Sequence, residues 1–124
     1  MRIYKNGWFE KFARKENIED AALCEAIRNA DKGLIDADLG NGVIKQRVAR
    51  PGAGKAGGYR TIILYRTQDR AVFVYGFAKS DRANLSLDEL VEYRKAAKLI
   101  LGLSEAQIGV EVKAGRWTEV NCDG

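Results

Sequence analysis

Between Asn41 and Gln68 the chain carries Lys45, Arg47, Arg50, Lys55, Arg60 and Arg66, and no Asp or Glu. Taking those six from the chain's 21 Lys and Arg leaves 15, against 17 Asp and Glu. The formal charge of +4 is therefore local, and a basic strand-loop-strand on an otherwise near-neutral chain is the footprint of a polyanion-binding surface. Arginine forks grip phosphate oxygens in pairs, and exposed tyrosines stack on bases. Further cations, Lys79 and Arg82, follow the next apolar run.

The chain has no histidine. That excludes Ser-His-Asp and Cys-His nucleophilic systems and two-histidine ribonuclease chemistry, and most catalytic zinc sites. Any catalysis must run on carboxylates, Lys, Tyr, Ser or Cys, with Arg as the electrostatic clamp. No cofactor or metal is expected. The segment RPGAGKAGG, residues 50–58, contains GAGK but lacks the phosphate-loop spacing, and a strand follows it where a helix would be needed. Asp36 and Asp38 alternate in LIDADL and read as solvated, with no partner base or metal ligand nearby.

These groups need a scaffold, and 124 residues give one domain with room for a core. A short strand is expected at Arg2–Lys5. A helix follows from Gly7, with Trp8, Phe9 and Phe12 as its core face. A second helix starts near Asn17 as its cap and stops at Gly33, so the two form a hairpin. Gly40-Asn41-Gly42 is a turn. Three strands follow in an antiparallel meander: Val43–Ala49, Tyr59–Arg66 and Ala71–Phe77. Alternation puts Val43, Lys45 and Arg47 on one face, and likewise Arg60, Ile62, Leu64 and Arg66; Thr61, Ile63 and Tyr65 take the opposite face. Ser86 with Glu89 forms a capping box for a helix that Gly102 ends. Ser104 with Gln107 repeats the box, and a short helix over 104–113 is favoured against the strand-like alternation of Ile108, Val110 and Val112. A terminal strand is expected at Trp117–Val120. Cys24 and Cys122 are far apart, and neither is in a CxxC. Two thiols fit a reducing cytoplasm better than a disulfide framework, although the spacing itself leaves a bridge open. No apolar run reaches the roughly 20 residues that span a membrane.

Lys45 and Arg47 on one strand, a basic loop, Gly58-Tyr59-Arg60 opening the next strand, and Ala78-Lys79-Ser80-Asp81-Arg82 before a helix carry a family signal. The chain resembles the RelE/HigB superfamily of toxins from bacterial toxin-antitoxin systems, within the wider RelE/ParE group, over about residues 1–113. The resemblance implies an α+β fold: a compact RelE-like domain over 1–124, with a strand and helical hairpin in 1–33 packed on a small antiparallel sheet. The meander occupies 43–78 and the C-terminal helices 86–113. It also implies a cytoplasmic, ribosome-dependent, metal-independent endoribonuclease that cuts mRNA by attack of the 2′-hydroxyl on the adjacent phosphate. Its partners would be the ribosome, mRNA and a helix-turn-helix antitoxin, with no membrane.

Position by position, Arg60 matches the family arginine that stabilises charge on the phosphate. Lys45 and Arg47 match an alternating lysine pair, and Lys79 and Arg82 match the basic pair after the last strand. These five are the catalytic candidates; Arg50, Lys55, Tyr59 and Arg66 are the RNA-binding ones. Arg47 is a poor base, which leaves Lys45 or Lys55 for proton removal. Ser80 stands where the family has a catalytic arginine, and Ser86 is nearest to its C-terminal tyrosine. The leaving 5′-oxygen would then depend on Lys79, Arg82, Tyr59 or Tyr65. Two other functions share this fold: a ParE-like gyrase poison, against which the Lys45/Arg47/Arg60 set argues, and a non-catalytic RNA- or ribosome-binding protein.

Overall fold

The structure, a computed structural model, describes residues 1–50, 57–78, 80–82 and 84–122. It runs β1 (Arg2–Asn6), α1 (Gly7–Lys15), α2 (Asp20–Asp31), β2 (Ala37–Gly40), β3 (Val43–Val48), β4 (Tyr59–Arg66), β5 (Arg70–Ala78), α3 (Leu87–Ile100), α4 (Glu105–Lys113) and β6 (Trp117–Glu119). The six strands form one sheet in the order β2-β3-β4-β5-β1-β6. The β3-β4-β5 meander is antiparallel as expected, and only β1 against β5 is parallel.

Three of the four helices, α1, α3 and α4, start where a side chain satisfies a free amide. Asn6 ends β1 and caps α1, accepting from the Phe9 N–H at 2.8 Å, while its amide donates to the Val74 carbonyl. Ser86 and Ser104 both form complete capping boxes, with Glu89 and Gln107, so the alternation in Ile108-Val110-Val112 yields to the cap and α4 is a helix. The expected Asn17 cap is corrected. Asn17 sits at φ +56° in the connection, and Glu19 holds the cap position of α2 without a side-chain hydrogen bond.

The sheet lies between two helical layers. On one face α1 and α2 bury Phe9, Ala13, Leu23 and Ile27 against Ile44, Val48, Ile63 and Phe73. On the other, α3 and α4 bury Ala97, Leu101 and Ile108 against Tyr4, Val43, Ile62, Leu64 and Val72. The face assignment of β3 and β4 from alternation is the observed one. Gly42 explains how α3 comes so near the β2–β3 turn: a Cβ there would stand 2.7 Å from the Leu101 side chain. Arg70, buried at the start of β5, donates to the Ile100 and Leu103 carbonyls and pairs with Glu105, tying off the end of α3 and the start of α4.

Two further features depart from expectation. Trp8 is not core: it is 46% exposed, while Phe9 beside it is fully buried. Cys24 on α2 and Cys122 beyond β6 are joined in a disulfide with Cα atoms 5.7 Å apart, so the expected pair of separate thiols is corrected. The two lie 98 residues apart in sequence, and adjacency of that kind is a product of the tertiary fold.

A bulge interrupts the β4–β5 ladder. Ile63 faces Phe73 and Ile62 faces Tyr75, so Val74 is the extra residue. Beyond it, Tyr75 and Phe77 turn to the face that carries Lys45 and Arg60. Gly76 turns to the other, where a Cβ would lie 2.6 Å from the Phe12 ring.

Candidate active site

Lys45 and Arg47 on β3 and Arg60 on β4 share the α3 side of the sheet. The register aligns two rows across the strands: Lys45, Ile62 and Tyr75, then Arg47, Arg60 and Phe77. The segment after β5 folds back over these rows. The Lys45 ammonium donates to the Asn84 side-chain oxygen at 3.2 Å, and the Arg82 Nε donates to the Asn84 carbonyl at 3.1 Å. The Arg82 guanidinium lies over the Tyr75 and Phe77 rings, donates to the Tyr75 hydroxyl, and grips both Glu89 oxygens at 2.6 and 3.0 Å. Lys45, Arg60 and Arg82 are thus brought together from three segments, with Arg47 exposed alongside.

Asp36 completes the cluster. Its Oδ2 lies 3.7 Å from the Lys45 Nζ and 3.5 Å from the Arg60 Nε. The expectation that Asp36 is solvated and without partners is corrected: it is the carboxylate between two of the candidate cations. The Arg60 side chain is only 11% exposed, and its Nη1 is buried with no hydrogen-bond partner among the described residues.

The RNA-binding candidates fall elsewhere. Tyr59 points to the opposite face, is 2% exposed, and donates its hydroxyl to Glu16 at 2.7 Å. Arg50 lies over the Tyr59 ring on that same side. Both are therefore separated by the sheet from Lys45 and Arg60, which corrects a single shared surface. Tyr65 is on that far face too, bonded to Asp31. Arg66 shares the face of Arg60 but lies six residues further along β4, about 20 Å away, paired with Asp69. Lys55 and Lys79 lie outside the described residues.

A family model, the RelE toxin of the RelE/RelB toxin-antitoxin system, matches residues 1–120. The chain belongs to the RelE toxin family. No curated protein matches it. A RelE-type toxin of a toxin-antitoxin system has an antitoxin as partner. No helix among the described residues is long and apolar enough to cross a membrane.

Beyond the candidate cations, the fold of this RelE-type toxin brings to the same cluster groups that the sequence did not assign to it: Asp36, Tyr75, Asn84, Glu89 and Tyr93. Tyr93 on α3 packs near Tyr75, and burial, with Glu89 and Tyr75 nearby, pushes its hydroxyl up to about 12. At neutral pH it is a hydrogen-bond donor. Trp8 stacks on Phe12 and lies 4.5 Å from Tyr75, extending the aromatic wall round the length of β5 beyond the β1 pairing. The signal that could have found Tyr75 is the bulge, which composition does not announce.

The Arg82–Glu89 clasp has a pH signature. Hydrogen bonds from Arg82 and from Ser86 hold Glu89 down at about 2. A carboxyl depressed in the folded state contributes stability above its unfolded value, near the ordinary 4.5, and loses it as pH falls toward 2. The stability difference between the parent and Glu89→Gln is therefore expected to be full at pH 7 and to shrink between about pH 4.5 and 2. Urea melts of both proteins across that range measure it; a difference independent of pH would contradict the clasp.

Proposed function

We propose that this RelE-type toxin arrests translation by cutting mRNA on the ribosome, as a metal-independent endoribonuclease working through the message's own 2′-hydroxyl. The observation that carries the reading is the convergence of Lys45, Arg60 and Arg82 on one face of the sheet, with Arg47 at its exposed margin. A phosphate passing through a transition state with extra negative charge is stabilised by fixed cations of this kind. Arg82 and Asn84 hold the arrangement together, through Glu89 and Lys45. The site of action would be the cytoplasm, where translating ribosomes are, and the antitoxin would be a small helix-turn-helix protein. Reduction of Cys24–Cys122 in that compartment would leave β6 attached through its own contacts. Those include the Val120 N–H to the Ile3 carbonyl and the Arg2–Glu119 pair.

The test is induced expression followed by mapping of mRNA 5′ ends. Growth arrest with new ends inside translated codons is the expected result. Intact messages with damaged DNA would favour gyrase poisoning, and intact messages with normal growth would leave a binding protein.

The aromatic wall supplies what the cations lack, a surface for bases. Trp8 is exposed and supported from behind by Phe12 and from the side by Tyr75. Stacking of one base contributes roughly 1–3 kcal/mol. Trp8→Ala is accordingly expected to weaken binding of the programmed ribosome about tenfold, with Trp8→Phe close to wild type. Titration of single-turnover cleavage against ribosome concentration reads this directly, and unchanged half-saturation in Trp8→Ala would remove Trp8 from the message path.

A further inference from the structure

We infer that Asp36 is the general base that takes the proton from the attacking 2′-hydroxyl, an assignment that rests on the RNA-cleavage reading above. A base is needed, and the chain has no histidine to supply one. Lysine and arginine bear their protons at neutral pH and stabilise charge more readily than they accept a proton. Lys45 is engaged as a donor, with the Asn84 oxygen at 3.2 Å and the Asp36 carboxylate at 3.7 Å. Tyr75 already accepts from Arg82. Among the described residues of the cluster, the Asp36 carboxylate is left.

Its geometry suits the task. Asp36 is held beside Lys45 and Arg60 by charge, at 3.7 and 3.5 Å, yet its oxygens accept no hydrogen bond among the described residues. It is thereby fixed in place with lone pairs still available, and its side chain is 30% exposed. Its own backbone is pinned from the opposite side of the sheet, where the Asp36 N–H donates to Gln46 Oε1 at 3.1 Å. Gln46 is buried, and its amide nitrogen donates to the Ala26 and Leu34 carbonyls. The segment before β2 therefore has a fixed position relative to Lys45 in spite of being a loop. A phosphate seated on Lys45 and Arg60 would present the neighbouring ribose to Asp36.

The step balances without a metal or an oxidant. The 2′-hydroxyl gives its proton to the Asp36 carboxylate as the 2′-oxygen bonds to phosphorus. The bond from phosphorus to the 5′-oxygen breaks, and that oxygen takes a proton from the Lys45 ammonium. The products are a 2′,3′-cyclic phosphate and a 5′-hydroxyl. Asp36 returns its proton to solvent, and Lys45 regains one.

The alternative is that Asp36 only keeps Lys45 and Arg60 in place, a role that an amide would largely fill. Single-turnover cleavage on programmed ribosomes separates the two. Asp36→Asn is expected to cut about 100-fold more slowly with unchanged ribosome affinity. On a message whose scissile 5′-oxygen is replaced by sulfur, which leaves without a proton, the Lys45→Ala defect should largely disappear and the Asp36→Asn defect should persist. Asp36→Asn cutting within about threefold of wild type, or rescued by the sulfur substitution, overturns the assignment. Asp36→Ser is measured in the same way, so that an amide-specific disturbance of the fold cannot pass for lost catalysis. Loss of cutting by the parent protein itself would instead count against the RNA-cleavage reading.

Discussion

Arg60→Ala is expected to lower mRNA cleavage by about 100- to 1,000-fold, the loss that follows removal of one preorganised donor to a developing oxyanion. Arg60 earns this weight from its placement. It lies between Arg47 and Phe77 across the strands, faces Asp36 at 3.5 Å, and is only 11% exposed. Its guanidinium cannot wander, and it keeps an N–H at Nη1 that no described protein atom satisfies. A fork held in that way stabilises charge without having to reorganise first. Arg60→Lys keeps the charge and loses the fork, so its activity should fall between the two. The fold should survive, because Ile62, Ile63 and Leu64 next along the strand hold both cores. Single-turnover rates, with melting curves beside them, are the measurement. Cleavage by Arg60→Ala at the parent rate would take Arg60 out of the mechanism.

Phe73→Ala should cost about 3–5 kcal/mol of folding stability, the range for truncating a fully buried phenylalanine. Phe73 is inaccessible to solvent and sits on the central strand β5 between β4 and β1. Its ring packs 5.1 Å from that of Phe9, also fully buried, so it is one of the contacts that seat α1 on the sheet. Phe73→Leu leaves less empty volume and should cost less. Denaturant titration at neutral pH gives both numbers. A loss below about 1 kcal/mol for Phe73→Ala would mean that the α1 layer collapses into the space, contrary to close packing.

The comparison of these two residues shows what the sequence made legible. Helix ends with a local chemical signature, such as Ser86-Glu89 and Ser104-Gln107, could be read directly, because a cap is made by residues three apart. The faces of β3 and β4 could be read too, because a two-residue period is strict. Tyr59 belongs by that same period with Thr61 and Ile63, away from Arg60, so its place on the far side was implicit in the alternation and the RNA-binding expectation ran against it. Arg66 shows the opposite limit: the right face, but a strand's length away. Asp36 could not be found in this way. Its partners Lys45 and Arg60 lie nine and 24 positions on, and the β2–β3 and β3–β4 pairings, with the Gln46 bond, bring them into range. The disulfide is hidden for the same reason. Tyr75 and Phe77 were obscured by a single extra residue, which reversed the alternation in mid-strand.

That extra residue makes β5 a strand with two phases. Before Val74 the odd position, Phe73, belongs to the α1 layer; after it, the odd positions Tyr75 and Phe77 belong to the site. Deleting one residue there would barely change the strand's length or hydrophobicity. It would nonetheless turn the two rings away from Arg82 and bring Gly76 round to face it. What one scaffold of this kind offers a partner can therefore change through a frame shift of one position, with no substitution in the site at all. Families built on such strands would diversify by moving the register as well as by changing the residues.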